Sequence, residues 1–308
     1  MTSTCDRIEN WIDGPFMSKY VTYINKYIRQ LGNILVFVVY SITLLLVVTS
    51  FGIILPYEQW YQPALLLIFY SIFGLFLFIN IMYHYYKART LPPISTPGEE
   101  NDRWCPKCEH WKSTRTHHCG ICGRCILGMD HHCIWINQCV GSHNHRHFFL
   151  FIANLTVASF IIVVAGYHTA YDHLFEFKAG KTYCTAFLEY APLQNTICGF
   201  DGFARNAIIF SYLLACLLLI LVGFLTGWNM FLISKGFTYI DYLQHSDHTA
   251  VNPAYRNPLN FGFRRNWQNF LGLRRNRSFI RHVILPSSHS PFLHEEERHS
   301  LIDCADVV

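Results

Sequence analysis

Charged residues are scarce in this chain. Asp, Glu, Lys and Arg make up 14% of its 308 residues, whereas 52% are hydrophobic. Soluble globular domains carry about 25% charged residues. The shortage excludes an ordinary soluble domain and indicates a membrane protein.

Charge is missing altogether from four long apolar runs, at residues 31–55, 63–83, 148–167 and 207–233. A helix needs roughly 20 apolar residues to cross a bilayer. We therefore predict four transmembrane helices. The alternative, buried helices of a soluble protein, is disfavoured because four uncharged runs of this length do not fit into a soluble domain.

The N-terminus also lacks a short apolar run followed by a small-residue cleavage site, so we expect the run that begins at residue 31 to be a retained anchor. Lys and Arg number four before that run, none in 56–62, eight in 84–147, three in 172–206 and nine in 234–308. Positive charge marks the cytosolic side of a membrane. We expect both termini and segment 84–147 to be cytosolic, and the two remaining loops to be lumenal.

Cysteine, in contrast, is concentrated in one stretch. Seven of the twelve cysteines lie between Cys105 and Cys139, as repeated C-x-x-C pairs interleaved with histidine. This spacing is typical of tetrahedral zinc sites. Two closed sites need eight donors, so at least one histidine must contribute. Two Cys3His sites would use six cysteines and leave one cysteine over. The clustered thiols also favour a reducing compartment.

Cys133 is our candidate for the remaining thiol, because it follows Asp130, His131 and His132 directly. His131 and Cys133 are two residues apart, which places them on one side of an extended segment. A histidine next to a thiol can act as its base, and a carboxylate can hold that histidine in one tautomer. We interpret Cys133 as the nucleophile, His131 as its base and Asp130 as the orienting carboxylate.

The pattern C-x2-C-x9-H-C-x2-C-x2-C-x4-D-H-H-C-x5-C runs without a gap from Cys105 to Cys139. In this it resembles the DHHC protein S-acyltransferases, or palmitoyltransferases. The resemblance implies transfer of a palmitoyl group from acyl-CoA to cysteines of other proteins through an acyl-Cys133 intermediate. It also implies two structural Zn²⁺ ions. The expected ligands are Cys105, Cys108, His118 and Cys125 for one ion, and Cys119, Cys122, His132 and Cys139 for the other.

The fold expected from these observations is an α-helical integral membrane protein. It has four transmembrane helices and a small cytosolic cysteine-rich domain with two zinc ions between helices 2 and 3. The expected segments are 1–30, 31–83, 84–147, 148–233 and 234–308. The expected partners are palmitoyl-CoA, substrate proteins with membrane-proximal cysteines and the lipid bilayer. The resemblance also implies an endomembrane location, in the endoplasmic reticulum or the Golgi.

The segment after the fourth apolar run carries two further resemblances. The family has Thr-Thr-x-Glu here, which helps to hold the active-site carboxylate, whereas this chain has Thr238-Tyr239-Ile240-Asp241. Residues 257–272 resemble the family's C-terminal motif, most closely that of the Abl-philin 2 branch. Arginines alternate with aromatic residues from Arg264 to Arg277. In a membrane-tethered segment this pattern favours anionic lipid headgroups, and we expect no binding of nucleic acid.

Two other classes of protein compete with the acyltransferase. A zinc-binding membrane adaptor, such as a ubiquitin-ligase-like scaffold, would leave Cys133 without a role. A metal transporter needs ionisable side chains inside its spans, and these runs hold almost none. One structural question also stays open. Cys184 and Cys198 lie in the second lumenal loop, where they would form a disulfide or remain free thiols.

Overall fold

The computed structural model describes residues 15–94, 98, 100, 102–113, 115–175, 182–186, 188, 191, 193–273 and 277–289, with side chains from residue 20 onward. Within these ranges, four helices are long and apolar enough to cross a membrane. The prediction of a four-span helical membrane protein with a cysteine-rich domain between helices 2 and 3 is confirmed.

The first span begins earlier than its uncharged run. Helix α1 covers Pro15–Thr49, and the chain continues through a π-helical turn, Ser50–Ile54, into the short helix α2, Leu55–Glu58. Residues 15–30 contain no proline after Pro15 and no glycine, so nothing interrupts the helix before the apolar run. The early part of α1 lies beside the cysteine-rich domain, where Asn25 Nδ2 donates a hydrogen bond to Gly120 O at 3.0 Å.

The other three spans are α3 (Ala64–Thr90), α4 (His145–Ala165) and α7 (Phe203–Ser234). Helix α3 packs along α4, and α4 packs along α7. Lys87 and Arg89 lie in the last turn of α3, where cations interact favourably with the helix dipole. This turn carries the helix past residue 83 to the edge of the cysteine-rich domain.

The cysteine-rich domain consists of three short antiparallel hairpins rather than one sheet. Their strands are β1 (Arg103–Cys105) with β2 (His110–Lys112), β3 (Thr116–Cys119) with β4 (Arg124–Leu127), and β5 (His131–Cys133) with β6 (Gln138–Val140). An isolated two-stranded hairpin is marginally stable at best. The three hairpins therefore need an additional source of stability. Metal ions bound by the cysteines and histidines of this domain would provide it.

Residues 166–202 connect α4 to α7 at the end of the bundle opposite the cysteine-rich domain, and we call them the distal loop. The described part contains the helices α5 (Tyr167–Leu174) and α6 (Gln194–Cys198). Cys184 and Cys198 form a disulfide with their Cα atoms 5.6 Å apart. The question that the sequence left open is thus answered in favour of the disulfide.

The tail after α7 forms α8 (Tyr239–Val251), α9 (Phe263–Phe270) and a π-helical turn, Ile280–Ile284. Buried Asn266 donates from Nδ2 to Ser234 O at 2.9 Å, and Asn257 donates from Nδ2 to Lys235 O at 2.8 Å. These amides satisfy carbonyls at the C-terminus of α7 and hold the tail against it. Residues 1–14 and 290–308 of the first and last expected segments lie outside the described residues.

Candidate active site and metal centres

The two C-x-x-C turns of the cysteine-rich domain share one backbone conformation. Glu109 N donates to Cys105 O at 2.8 Å, and Gly123 N donates to Cys119 O at 2.8 Å. Each donor directly follows the second cysteine of its pair and has a positive φ, 56° at Glu109 and 66° at Gly123. Glycine adopts this conformation without steric cost, whereas Glu109 adopts it at a steric cost that comes from its Cβ atom. The two turns therefore present their cysteine pairs in the same way.

The first turn meets the second hairpin. Cys105, Cys108, His118 and Cys125 bring their ligand atoms within 4.8 Å of one another. His118 Nδ1 lies 3.2 Å from Cys108 Sγ, 3.7 Å from Cys105 Sγ and 4.0 Å from Cys125 Sγ. Around a tetrahedral zinc with Zn–S of about 2.3 Å and Zn–N of about 2.0 Å, donors lie roughly 3.5–3.8 Å apart. The four side chains fit a zinc ion.

The second turn meets the third hairpin in the same manner. Cys119, Cys122, His132 and Cys139 form the other group, and His132 Nδ1 lies 3.3–3.8 Å from the three sulfurs. His132 faces Cys139 directly across β5 and β6. Each group thus joins the turn of one hairpin to a cross-strand pair of the next. Thiolate and imidazole donors of this kind select zinc over magnesium or calcium.

The pleat of strand β5 separates the metal ligand from its neighbours. Successive side chains of a strand point to opposite faces. His132 points to the second Cys/His group, so His131 and Cys133 lie together on the other face. Among the described cysteines of this domain, Cys133 belongs to neither group. The structure therefore leaves this thiol, and the two residues predicted to assist it, available for chemistry.

Asp130, His131 and Cys133 lie next to one another at strand β5. His131 Nδ1 lies 2.7 Å from Asp130 Oδ2, and Cys133 shares a face of β5 with His131. With Nδ1 taken by the carboxylate, Nε2 is the ring nitrogen left for the sulfur. Phe148, in the first turn of α4, packs against the imidazole with ring centroids 5.3 Å apart. The imidazole is thus fixed on both sides.

Electrostatics around Asp130 favour ionised groups. Burial raises the pKa of the Asp130 carboxyl, but His145, His131 and the Tyr239 amide outweigh this and hold it below its usual value. Burial lowers the pKa of His131, yet its interactions with the Asp130 carboxylate and the Cys133 sulfur prevail and raise this pKa to about 9. A protonated imidazole beside a sulfur favours the thiolate. This arrangement therefore suits nucleophilic attack by Cys133.

The second oxygen of Asp130 is held by the tail. Tyr239 N donates to Asp130 Oδ1 at 2.6 Å, and Asp130 is almost fully buried. Thr238 caps helix α8 and forms a capping box with Asp241. Asp241 in turn pairs with Arg115 of the cysteine-rich domain at 2.8 Å. The N-terminus of α8 is therefore held on the cysteine-rich domain at two points, the Asp130 carboxylate and the Arg115 guanidinium.

Comparison with known proteins identifies the family. The profile of the DHHC palmitoyltransferase family matches residues 98–246. Palmitoyltransferase ZDHHC16A of Danio rerio is 31% identical over 86% of this chain and 77% of its own length. Palmitoyltransferase ZDHHC16 of Homo sapiens is 32% identical over 91% of this chain and 78% of its own length. This chain belongs to the DHHC palmitoyltransferase family. The relatives named ZDHHC16 also confirm the predicted Abl-philin 2 branch.

A more distant relative, probable protein S-acyltransferase 15 of Arabidopsis thaliana, is 29% identical over 60% of this chain and 68% of its own length. The shared family makes this protein a palmitoyltransferase that uses acyl-CoA and modifies proteins. Its two Cys/His groups match the two zinc ions expected of the DHHC domain.

The geometry also explains how this palmitoyltransferase accommodates its altered Thr-Thr-x-Glu segment. The contact from Tyr239 to Asp130 comes from the backbone, so it does not depend on the side chain at that position. Asp241 replaces the glutamate of the motif and still completes the capping box. A sequence comparison of side chains misses this contact. The Thr-x-x-Asp pattern marks only the start of helix α8, whose first amide makes this contact.

Three polar residues that the sequence analysis did not assign to the site position the β5–β6 hairpin. Gln138 Nε2 donates to Leu91 O at 2.6 Å, and Asn144 Nδ2 donates to Ala88 O at 2.7 Å, both at the C-terminus of α3. Tyr85 OH donates to Trp135 O at 2.9 Å. These contacts fix the hairpin that carries Cys133 on the end of the second span.

An apolar cavity lies between the spans, next to the cluster of buried residues that contains Cys133. Cys133 packs in one cluster with Ile81 of α3 and Phe151 of α4, and Leu155 packs against this cluster. Ile81 and Leu155 also line a cavity between the first span, α3 and α4. The opposite end of that cavity lies at Ile54 and Ala165, next to the distal loop. A fatty chain attached to Cys133 would find an apolar environment along this cavity.

Proposed function

We propose that this palmitoyltransferase works through a covalent acyl-Cys133 intermediate, with His131 moving the proton and Asp130 orienting His131. One observation carries the proposal. The same face of β5 bears His131 and Cys133, and the buried cluster that contains Cys133 adjoins an apolar cavity between the spans.

In the first step, His131 Nε2 takes the proton of Cys133. The thiolate attacks the carbonyl carbon of the acyl-CoA thioester and forms a new S–C bond. The S–C bond to CoA breaks, and the CoA sulfur leaves with the proton from His131. Asp130 holds the ring in the required tautomer through the 2.7 Å contact at Nδ1.

In the second step, a cysteine of the substrate protein gives its proton to His131 and attacks the acyl-Cys133 carbonyl. The bond to Cys133 breaks, and the Cys133 sulfur takes the proton from His131, which restores both residues. Exchange between two thioesters is nearly isoenergetic, so the enzyme mainly supplies position and a thiolate. The burial of the chain supplies binding energy, at about 0.8 kcal/mol for each CH2 group.

The two Cys/His groups would hold Zn²⁺ through Cys105, Cys108, His118 and Cys125, and through Cys119, Cys122, His132 and Cys139. All four positions of each ion would then be filled by protein. Closed sites of this kind stabilise a fold and leave no position for a substrate. We assign the ions a structural role, and Cys133 with its neighbours the chemistry.

The proposed orientation puts the cysteine-rich domain and both termini in the cytosol and the distal loop in the lumen. The distribution of Lys and Arg supports this assignment. The state of the cysteines supports it independently. Cys184 and Cys198 are joined in the distal loop, whereas the metal-binding thiols at the other end must stay reduced. We place the enzyme in the endoplasmic reticulum or the Golgi.

The position of Cys133 also defines the proposed substrates. Its hairpin is fixed to the ends of α3 and α4, close to the membrane surface. A cysteine of a substrate protein must therefore reach the cytosolic face of the membrane. We propose palmitoyl-CoA as acyl donor and membrane-proximal cysteines as acceptors.

The test uses the full chain in membranes with an alkyne-bearing palmitoyl-CoA. The wild-type protein should acquire a label on Cys133 that hydroxylamine removes. Cys133→Ser should lose the label and the transfer to substrate proteins. Cys216→Ser is the matched control, because Cys216 is a half-buried cysteine of the fourth span outside the site. Continued transfer by the Cys133→Ser protein would reject the proposal, because the reaction would then not pass through acyl-Cys133.

A further inference from the structure

The π-helical turn Ser50–Ile54 interrupts the first span near its distal end. Such turns are rare inside α-helices and are frequently found at functional sites. Two faces of this turn have different neighbours. Phe51 and Ile54 line the apolar cavity that begins near Cys133, whereas Ile53 packs in a separate cluster with the distal loop.

The cavity side of the turn forms the far end of the cavity. A Cβ atom built at Gly74 of α3 would lie 3.4 Å from the ring of Phe51, and one built at Gly166 would lie 2.9 Å from Ile54 Cγ2. Ile54 therefore lies close to Gly166, where the distal loop begins, and Phe51 lies beside α3 with 37% of its surface exposed. A displacement of the turn would change the depth of the cavity.

The loop side of the turn is held by one side chain. Tyr183 is fully buried, and its OH donates to Gly52 O at 2.9 Å, inside the π-helical turn. Its backbone is fixed as well, because Tyr183 N donates to His173 Nε2 at 3.2 Å and Gln194 Nε2 donates to Tyr183 O at 2.6 Å. The next residue, Cys184, forms the disulfide with Cys198.

We propose that Tyr183 is a positioning residue for acyl-chain selection, which holds the π-helical turn and thereby sets the far end of the acyl cavity. The disulfide keeps Tyr183 in place. This inference rests on the proposed acyl-Cys133 chemistry. It assigns to the distal loop a role in a reaction whose bond changes take place at the opposite end of the bundle.

The test compares Cys133 acylation by saturated acyl-CoAs of 14, 16 and 18 carbons in the full-length protein. Tyr183→Phe removes one hydroxyl and should raise the ratio of 18-carbon to 14-carbon rates by about threefold or more, the order expected for loss of one neutral hydrogen bond. The ratio rises because the released turn no longer limits the longer chain. The paired change Cys184→Ser with Cys198→Ser should shift the ratio in the same direction.

Tyr171→Phe is the matched control, because Tyr171 lies in the same loop and is exposed. Its ratio should equal that of the wild-type protein. An unchanged ratio in the Tyr183→Phe protein, or an equal loss of rate for all three chains, overturns the inference. Absence of any label on wild-type Cys133 would instead refute the proposed function, so the two failures are distinguishable.

Discussion

At the scale of single residues, two adjacent histidines acquire different environments from the pleat of one strand. His132 Nδ1 lies among three sulfurs, whereas His131 Nδ1 lies against a carboxylate. This difference does not come from the residue type, since both residues are histidines. It comes from the alternation of side chains in β5, which directs one imidazole to a Cys/His group and the other to the face that bears Cys133.

The first prediction concerns the backbone amide of Tyr239. Tyr239→Pro removes the N–H that donates to Asp130 and preserves the start of α8, since proline is favoured at the first position of a helix. The preceding Thr238 already has the extended conformation that proline requires, with φ −85° and ψ 170°. A hydrogen bond to a charged group contributes about 1.5–3 kcal/mol. The rate of Cys133 acylation should fall about tenfold or more.

Tyr239→Ala is the control for this change, because it removes the side chain and keeps the amide. It should retain a rate within about twofold of the wild-type rate, as expected for a surface substitution. Single-turnover labelling with palmitoyl-CoA measures both variants. Equal losses in the two would mean that the tyrosine side chain, rather than the amide, supports Asp130.

The residue scale also shows what spacing predicts and what it misses. Spacing predicts two zinc sites and one remaining cysteine, because repeated C-x-x-C pairs with nearby histidines are typical of such sites. The division of the eight ligands between the two ions comes from the resemblance to the family. The support from Tyr239 escapes the same reasoning, because a backbone donor leaves no trace in residue identity. The sequence left the pairing of Cys184 with Cys198 undecided for another reason. Two cysteines in a loop carry no information on the distance between them until the loop is folded.

At the scale of secondary structure elements, α1 packs tightly against the β5–β6 hairpin that carries Cys133. A Cβ atom built at Gly32 would lie 2.3 Å from Asn137 Oδ1 and 2.9 Å from Asn137 Cβ. Asn137 Nδ2 donates to Arg29 O at 3.1 Å and to Asn33 Oδ1 at 2.9 Å. The sequence analysis placed the start of the first span at residue 31 and missed this contact, because apolar content does not record where a helix begins in water.

The second prediction tests this contact. Gly32→Ala should push α1 away from the β5–β6 hairpin and lower the rate of Cys133 acylation about tenfold, since overpacking costs about 1–3 kcal/mol. Gly227→Ala is the control, because a Cβ atom there meets nothing within 4 Å. It should leave the rate unchanged and favour helix α7.

Rescue of Gly32→Ala sharpens the result. Asn137→Gly removes the side chain that blocks the new methyl group, and glycine accepts the φ of 50° at that position. The double variant should therefore recover most of the lost rate. Failure of this rescue would show that Gly32 matters for a reason other than its contact with Asn137.

The third prediction concerns the hairpins and their metal ions. Cys119 lies at the turn of the second hairpin, in the Cys/His group that joins this turn to the third hairpin, so Cys119→Ser should lose at least one of the two zinc ions and destabilise the domain. Cys133→Ser should keep both ions, because Cys133 lies in neither Cys/His group. Zinc per protein, measured by mass spectrometry on purified samples, distinguishes these outcomes. Equal zinc contents in the two variants would contradict the division of the cysteines.

At the scale of the whole molecule, the two ends of the bundle have opposite thiol chemistry. The distal loop contains a disulfide, and the cysteine-rich domain contains two groups of metal-type thiols. One compartment cannot favour both states equally well. The four spans separate the two ends of the bundle. The cavity between the spans extends from the π-helical turn Ser50–Ile54 to the cluster that contains Cys133.

The fourth prediction follows from this separation. A glycosylation sequon inserted after Phe175, in the distal loop, should receive a glycan in cells, because the loop is proposed to be lumenal. The same sequon inserted after Asn252, in the turn that follows α8, should remain unmodified. Endoglycosidase treatment followed by electrophoresis reads out both insertions. Glycosylation of only the sequon inserted after Asn252 would reverse the proposed orientation. The metal-binding thiols and Cys133 would then lie in the lumen, away from cytosolic acyl-CoA.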